Sequence, residues 1–327
     1  MKTELDLAAG VRLPQKGKPS RWRAFGMEIS KNRALYLMFL PAMILLFLFN
    51  YLPLSGLVLA FKDVSFTKGI WGSDWANPIY NNFVFLFSSD SAFRAFRNTL
   101  VLNGLFIVSG IIFEVGFALL LQEIGNRYFK KLMQSLTILP YFVSWIVVGI
   151  FTYNLFNTDT GAVNGLLACL GFPKFPWYST PGVWPAILVV ANRWKVTGYG
   201  MIIYLATLNG IDPAYYEAAE IDGASKWQQI KHITLPQLMP TIIILTLLHV
   251  GRIMNSDFGM FYAMVGDASQ IFSTADVIDT FVYRGLKQTG DIGMAAAAGF
   301  IQSIISFIMI MVCNRAARKL DQDSTLF

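Results

Sequence analysis

The chain has 327 residues, of which 55% are hydrophobic and only 14% charged, against about a quarter charged in an ordinary soluble domain. Its formal net charge of +6 comes from basic residues strewn beside apolar runs, with no aromatic-basic module of the kind that grips RNA, so nucleic acid is excluded as a partner. Cys169 and Cys313 stand far apart, His232 and His249 are too few and too separated for zinc, and no Ser/His or Cys/His arrangement occurs, which excludes a disulfide scaffold, a metal centre and nucleophilic catalysis.

Residues 1–34, with Pro14, Pro19 and several lysines, read as a polar N-terminal segment. The first apolar run, Leu35 to Phe61, is too long for the core of a cleaved signal peptide and has no small-residue cleavage site behind it, so it should stay as an anchor. In all, six stretches are long and apolar enough to cross about 30 Å of hydrocarbon as helices: about 35 to 60, 98 to 121, 132 to 156, 183 to 207, 238 to 262 and 291 to 313. The expected fold is therefore all-α and polytopic, with a transmembrane domain over 35–314 and a tail over 315–327.

Basic residues set the direction. They crowd into 1–34, Arg127 to Lys131, Lys226, Lys231 and Arg315 to Lys319, whereas the alternate loops hold only Lys62, Lys68, Arg94, Arg97, Lys174, Arg284 and Lys287. Positively charged loops resist translocation, which places both termini in the cytoplasm. Of the outer segments, 62–97 is rich in aromatics and turn formers such as Gly69, Gly72 and Pro78. In the next, Ala162, Val163, Leu166, Leu167 and Leu170 recur at helical spacing, suggesting either a short helix on the membrane surface or one packed against neighbouring spans.

The loop over 209–238 is too polar for the bilayer and carries its own helix punctuation. Asp212 can cap a helix that opens at Pro213, and Gly223 can end it in the left-handed conformation. Ser225 and Gln228 form a Ser-x-x-Gln capping box for a second helix. Ala218 and Ala219 would let another surface approach, and Glu217 and Glu220 would offer it charge. A docking knob and an ordinary solvated connection are both open on these grounds.

Glu217-Ala218-Ala219, three residues, Gly223, nine residues, Ile233, one residue and Leu235-Pro236 resemble in identity and spacing the EAA loop of the permease subunits of bacterial ABC importers. The likeness continues in Asn98-Thr99, in Gly161 to Leu167, in Thr274 to Thr280 and in Tyr283-Arg284, which look like the maltose-type carbohydrate permeases. Asn255, Phe258, Asn314 and Arg318 fit the LplB-like polysaccharide branch. Members of that branch tend to carry small residues where Arg252 and Asp257 stand, so the resemblance does not extend to those two. It implies a type I importer permease fold in the cytoplasmic (inner) membrane, with Tyr216, Glu217, Ala218, Ala219, Asp222, Gly223, Leu235 and Pro236 forming the coupling to a cytoplasmic ATPase. It further implies a second, related permease, two ATPase subunits and an extracytoplasmic solute-binding protein.

Import against a gradient needs energy, yet the chain lacks a phosphate-binding Gly-x-x-x-x-Gly-Lys-Ser/Thr loop; its nearest fragment, Gly17-Lys18, runs into Pro19. The subunit is thus expected to be no enzyme and to hold no cofactor, with ATP and Mg bound by the partner ATPase. Ionisable residues inside spans mark cavities or partners. Here they are Glu114, Arg193, Lys195, His249, Arg252 and Asp257. Glu114, alone in its span, reads as structural, and Arg252 could pair with it or with Asp257, or face a watery path. His249, Arg252, Asn255 and Phe258 step by three and should share one helical face, a lining suited to sugars. Arg193, Lys195 and Arg252 would favour an acidic, uronate-type oligosaccharide, since guanidinium recognises carboxylate bidentately. Trp194, Tyr199 and Tyr204 could stack on sugar rings or simply pack. A permease for a non-sugar solute is an alternative; a stand-alone channel or membrane enzyme is another, without a filter-like loop or catalytic cluster to support it.

Overall fold

A computed structural model describes residues 30–65 and 67–320. Most of the expected N-terminal segment 1–34 and the end of the tail 315–327 lie outside the described residues, together with many of the basic residues that bear on orientation.

The first apolar stretch is a helical run over Arg33–Phe61, made of α1 (Arg33–Leu46), a π turn (Phe47–Tyr51) and a 3-10 segment (Leu52–Phe61). Proline explains the change of winding. Pro53 has no N–H to give, and its ring crowds the carbonyl four residues back, so the turn containing Phe49 widens instead of breaking.

Beyond it, a two-residue antiparallel ribbon pairs β1 (Lys62–Asp63) with β2 (Asp74–Trp75). The buried Lys62 ammonium donates to the carbonyls of Ile70 and Trp71 at 3.1 and 2.9 Å. A short helix α2 (Asn81–Ser88) leads to α3 (Asp90–Gln122), which Ser89 caps by accepting from the Ala92 amide. Next come α4 (Arg127–Ile138), capped by Asn126, and α5 (Trp145–Phe156), capped by Ser144. The expected third span, 132 to 156, is thus bent by 93° between Phe142 and Trp145. Pro140 interrupts the first helix and Ser144 starts the second, so both breaking and restarting signals sit at the corner.

The short helix α6 (Ala162–Cys169) forms as its spacing predicted. Its buried Asn164 donates to the carbonyls of Thr158 and Phe175 and accepts from the Phe175 amide and Trp177 indole, at 2.9 to 3.0 Å. Leu166 and Leu170 remain exposed. The long α7 (Trp184–Asn209) follows, then α8 (Ala214–Ile221) and α9 (Lys226–Gln229) of the polar loop. α9 does not end the helical run. It passes through a π turn, Ile230–Thr234, into α10 (Leu235–Val250), giving one helical run over Lys226–Val250. Pro236 accounts for the π turn as Pro53 does for the first.

The expected fifth span, 238 to 262, is corrected here. α10 ends at Val250, residues 251–257 turn, and α11 (Phe258–Met264) starts afresh with Asp257 as its cap, Oδ1 accepting from the Met260 amide at 3.2 Å. Gly251 and the Asn255-Ser256-Asp257 cluster favour turns and caps over helix interior. α12 (Ile278–Thr289) and α13 (Ile292–Leu320) complete the chain.

Among the described residues four helical runs are long and apolar enough to cross a membrane, Arg33–Phe61, Asp90–Gln122, Lys226–Val250 and Ile292–Ala316, and the bent pair α4–α5 adds a fifth if it is one span. The remaining expected span is α7, whose 26 residues have the length but include Arg193 and Lys195. α3 and α7 form the most extensive helix pair. They run in the same direction and share two apolar cores, Leu102 with Trp184 and Leu188 toward one end, and Val115, Ala118 and Leu121 with Met201, Leu205 and Leu208 toward the other. Between these cores lies a polar layer.

Candidate functional site

Two regions concentrate exposed or uncommitted chemistry. The first is the elbow formed by α8 and α9. Asp212 Oδ1 accepts from the Ala214 amide at 3.0 Å, Gly223 takes a φ of +74°, and both arms of the Ser225/Gln228 capping box are present. Across the elbow Lys226 Nζ meets Glu220 Oε1 at 2.9 Å, and this neighbour holds the Glu220 carboxyl below the usual carboxylate range.

The residues assigned to coupling divide into two sets. Tyr216, Ala219 and Leu235 turn inward: the Tyr216 hydroxyl lies 3.0 Å from Thr234 Oγ1, and Tyr216 and Leu235 pack on the apolar core below. Glu217, Ala218, Asp222, Gly223 and Pro236 face out. Sequence reasoning passed over the most exposed apolar side chains of the elbow, Ile221 at 87%, Trp227 at 72% and Tyr215 at 58%. Their signal was available, since large apolar residues in a solvated loop ask for a partner.

The second region is the polar layer. Glu114 pairs with Arg193, Nη1 to Oε1 at 3.2 Å, both nearly fully buried, and Arg193 Nη2 also donates to Asn192 Oδ1. Two glycines make the room. A β-carbon at Gly110 would run into the Arg193 guanidinium, and one at Gly200 into the Glu114 carboxyl. The structural role expected of Glu114 thus has a partner, and it is Arg193 rather than Arg252.

This pair forms one wall of a cavity of about 210 Å³, also lined by Asn103, Asn192, His249, Arg252, Asn255 and Asp257. The single helical face expected for His249, Arg252, Asn255 and Phe258 does not exist, because α10 ends at Val250. Three of the four still meet at the cavity, brought there by the turn after α10. Asn103 secures that turn, its Nδ2 donating to the Ile253 carbonyl at 2.8 Å and to Ser256 Oγ at 3.3 Å. Arg252 is exposed, and its side chain has no hydrogen bond or ion pair among the described residues.

Phe258 joins an exposed aromatic group with Tyr262 and Tyr283, ring centroids 5.0 to 5.6 Å apart. Trp194 lines two apolar hollows on the outside of α7. Tyr199 stacks on Tyr141 at 4.4 Å, and Tyr204 is buried in the core. Lys195 is turned away from the cavity toward backbone carbonyls at the bend between α4 and α5. Asn103 and Asn192 were missed from sequence, although amides within apolar stretches carry the same message as charges there.

Long apolar helices and an exposed elbow between α7 and α10 suit a membrane-embedded subunit. Residues 110–322 match the family model of the binding-protein-dependent transport system inner membrane component, and the chain belongs to that family. It is 35% identical over 308 residues to protein LplB of Bacillus subtilis, covering 94% of each chain. It is 33% identical over 298 residues to the polygalacturonan/rhamnogalacturonan transport system permease protein YteP of the same organism, covering 91% of each. Among solved structures it is similar to a chain of a bacterial alginate ABC transporter in complex with an alginate pentasaccharide-bound periplasmic protein. There the TM-score is 0.80 and the identity 32%, covering 90% of this chain and 97% of that one.

Proposed function

We propose that the chain is one of two related permeases that together form the translocation path of an ATP-driven importer for an acidic oligosaccharide delivered by an extracytoplasmic binding protein. In this reading residues 35–314 form the membrane domain, the flanking segments and the elbow lie in the cytoplasm, and the elbow seats in a separate ATPase that binds ATP and Mg. Of the elbow's side chains, Glu217, Ala218, Ile221, Asp222 and Trp227 supply the contact, while Tyr216 and Leu235 brace it.

The observation that carries the substrate reading is Arg252, an uncommitted guanidinium at a cavity otherwise lined by amides, an imidazole, an already neutralised ion pair and the Asp257 carboxylate, whose oxygens are taken by the Trp145 indole and the Met260 amide. A carboxylate arriving there would gain a charge-assisted, bidentate partner without displacing one. Neutral sugar hydroxyls have Asn103, His249 and Asn255 to meet, and the exposed rings of Phe258, Tyr262 and Tyr283 offer faces on which pyranose rings stack. Relatives named for polygalacturonan and alginate transport support the same class.

The test is made on the complete assembly, purified with its second permease, ATPase and binding protein. Oligogalacturonate or alginate oligosaccharide presented on the binding protein should stimulate ATP hydrolysis, and neutral maltooligosaccharide should not. Stimulation by the neutral sugar alone, or by none of these, rejects the proposal.

A further inference from the structure

The bend between α4 and α5 leaves a problem that hydrocarbon cannot solve. Where a helix stops, its last carbonyls lose their amide partners, and no water reaches them in the bilayer core. Lys195, on the neighbouring α7, answers this. Its Nζ lies 2.6 Å from both the Tyr141 and the Val143 carbonyl oxygens, and 5.2 and 5.3 Å from the ring centroids of Tyr141 and Trp145. A cation is favoured there twice over, by the negative end of the helix and by the two ring faces. Gly198, one turn along α7, permits the approach, since a β-carbon there would collide with the Thr137 carbonyl.

The same corner is fastened to the turn between α10 and α11. Trp145, the first residue of α5, donates its indole N–H to Asp257 Oδ2 at 2.6 Å, while Asp257 Oδ1 caps α11. α5 and α11 then touch backbone to backbone, with Gly149 against the Ala263 carbonyl. One carboxylate thereby ends the turn that carries Arg252 and Asn255, and lines the same cavity.

We infer that Lys195 and the Trp145–Asp257 hydrogen bond form a lock that joins the bend between α4 and α5 to the turn ahead of α11 and sets the wall of the polar cavity, so that Lys195 is a positioning residue and not a contact for the solute. The inference rests on the proposed import function for its readout. A positioning role predicts that loss of the lock slows the conformational cycle without weakening capture of the loaded binding protein, a split between maximal rate and half-saturation.

The complete importer is reconstituted in proteoliposomes with oligogalacturonate on the binding protein, and Lys195→Met, Lys195→Arg, Trp145→Phe and the Lys195→Met/Trp145→Phe double variant are compared. Lys195→Met should lower maximal transport by about tenfold or more, corresponding to at least about 1.4 kcal/mol on the limiting step, with half-saturation unchanged. Lys195→Arg, which keeps a cation and several donors, should recover most of the rate. Trp145→Phe keeps an aromatic face, though a smaller one, and loses the indole N–H; it should lower the rate less, and the double variant should be little worse than Lys195→Met alone. The inference is overturned if Lys195→Met raises half-saturation at full maximal rate, if Arg fails to rescue, or if Trp145→Phe matches wild type. Should Lys195→Met not assemble, Trp145→Phe alone decides. A wild-type assembly indifferent to every sugar tried would instead refute the import reading, and the lock would then be judged by whether Trp145→Phe and Asp257→Asn lower the thermal midpoint non-additively.

Discussion

Replacing Glu114 by Leu tests the account of the polar layer most directly. The carboxylate and the Arg193 guanidinium are 3.2 Å apart, with side-chain exposures of 7% and 10%, so water reaches each only at its cavity edge. Removing one member strands the other, which in buried pairs costs about 3–5 kcal/mol, whereas replacing both by apolar groups is often neutral or stabilising. Glu114→Leu should therefore destabilise the purified assembly by about 3–5 kcal/mol. The double variant Glu114→Leu/Arg193→Met should return to within about 1 kcal/mol of wild type or exceed it. Gly200→Ala supplies an independent arm, because its β-carbon would displace the Glu114 carboxyl and so should behave like the single loss. The assay is reversible unfolding of the assembly in mixed micelles, read by tryptophan fluorescence. A single Glu114→Leu variant as stable as wild type, or a double variant as poor as the sum of its parts, would refute the reasoning.

Arg252→Met should weaken uptake of oligogalacturonate much more than it lowers the yield of assembled complex, measured by transport and gel filtration of the same preparation; equal losses would remove Arg252 from the path. Gly223→Val forces a β-branched residue into a φ of +74°, a strain of roughly 1–2 kcal/mol, and should uncouple ATP hydrolysis from the loaded binding protein while leaving the membrane domain folded; an unchanged coupling ratio would contradict the docking role of the elbow. Because Lys226 depresses the Glu220 carboxyl below its ordinary 4.5, the clamp contributes above about pH 4.5 and is lost as pH falls through the lowered value. Glu220→Gln should accordingly abolish any pH dependence of elbow protection from protease in that acid window, and the wild-type effect should fade with added salt.

The elbow was legible in the sequence because its instructions are local. A capping Asp before Pro213, a glycine that tolerates left-handed backbone and a Ser-x-x-Gln box each act within four residues, and all three appear where the spacing placed them. The corners at 143–144 and 251–257 were not read, although Pro140, Ser144, Gly251 and Asp257 were in view. Hydropathy averages over about twenty residues, and an apolar stretch looks the same whether it is straight or folded back on itself. The polar layer depends on still longer reach. Glu114 and Arg193 are separated by 79 positions, and Lys195 by 52 and 54 from the carbonyls it serves. Nothing in local pattern says which charge will meet which acceptor. That Glu114 has a structural partner was anticipated; its identity required the packing of α3 on α7, and the closeness of that packing resides in Gly110 and Gly200, which carry no charge to attract notice.

The continuous helical run from Lys226 to Val250, π turn included, gives the molecule a long spindle. At 25 residues it is roughly 37 Å long, with the Ser225 box clasping one extremity and His249 standing beside the polar cavity at the other. A thrust applied at the foot needs no chain of side-chain handoffs to be felt at the head, since both belong to a single helical column, and the wide turn ahead of Pro236 and the interior Pro240 are the places along it where the column can give.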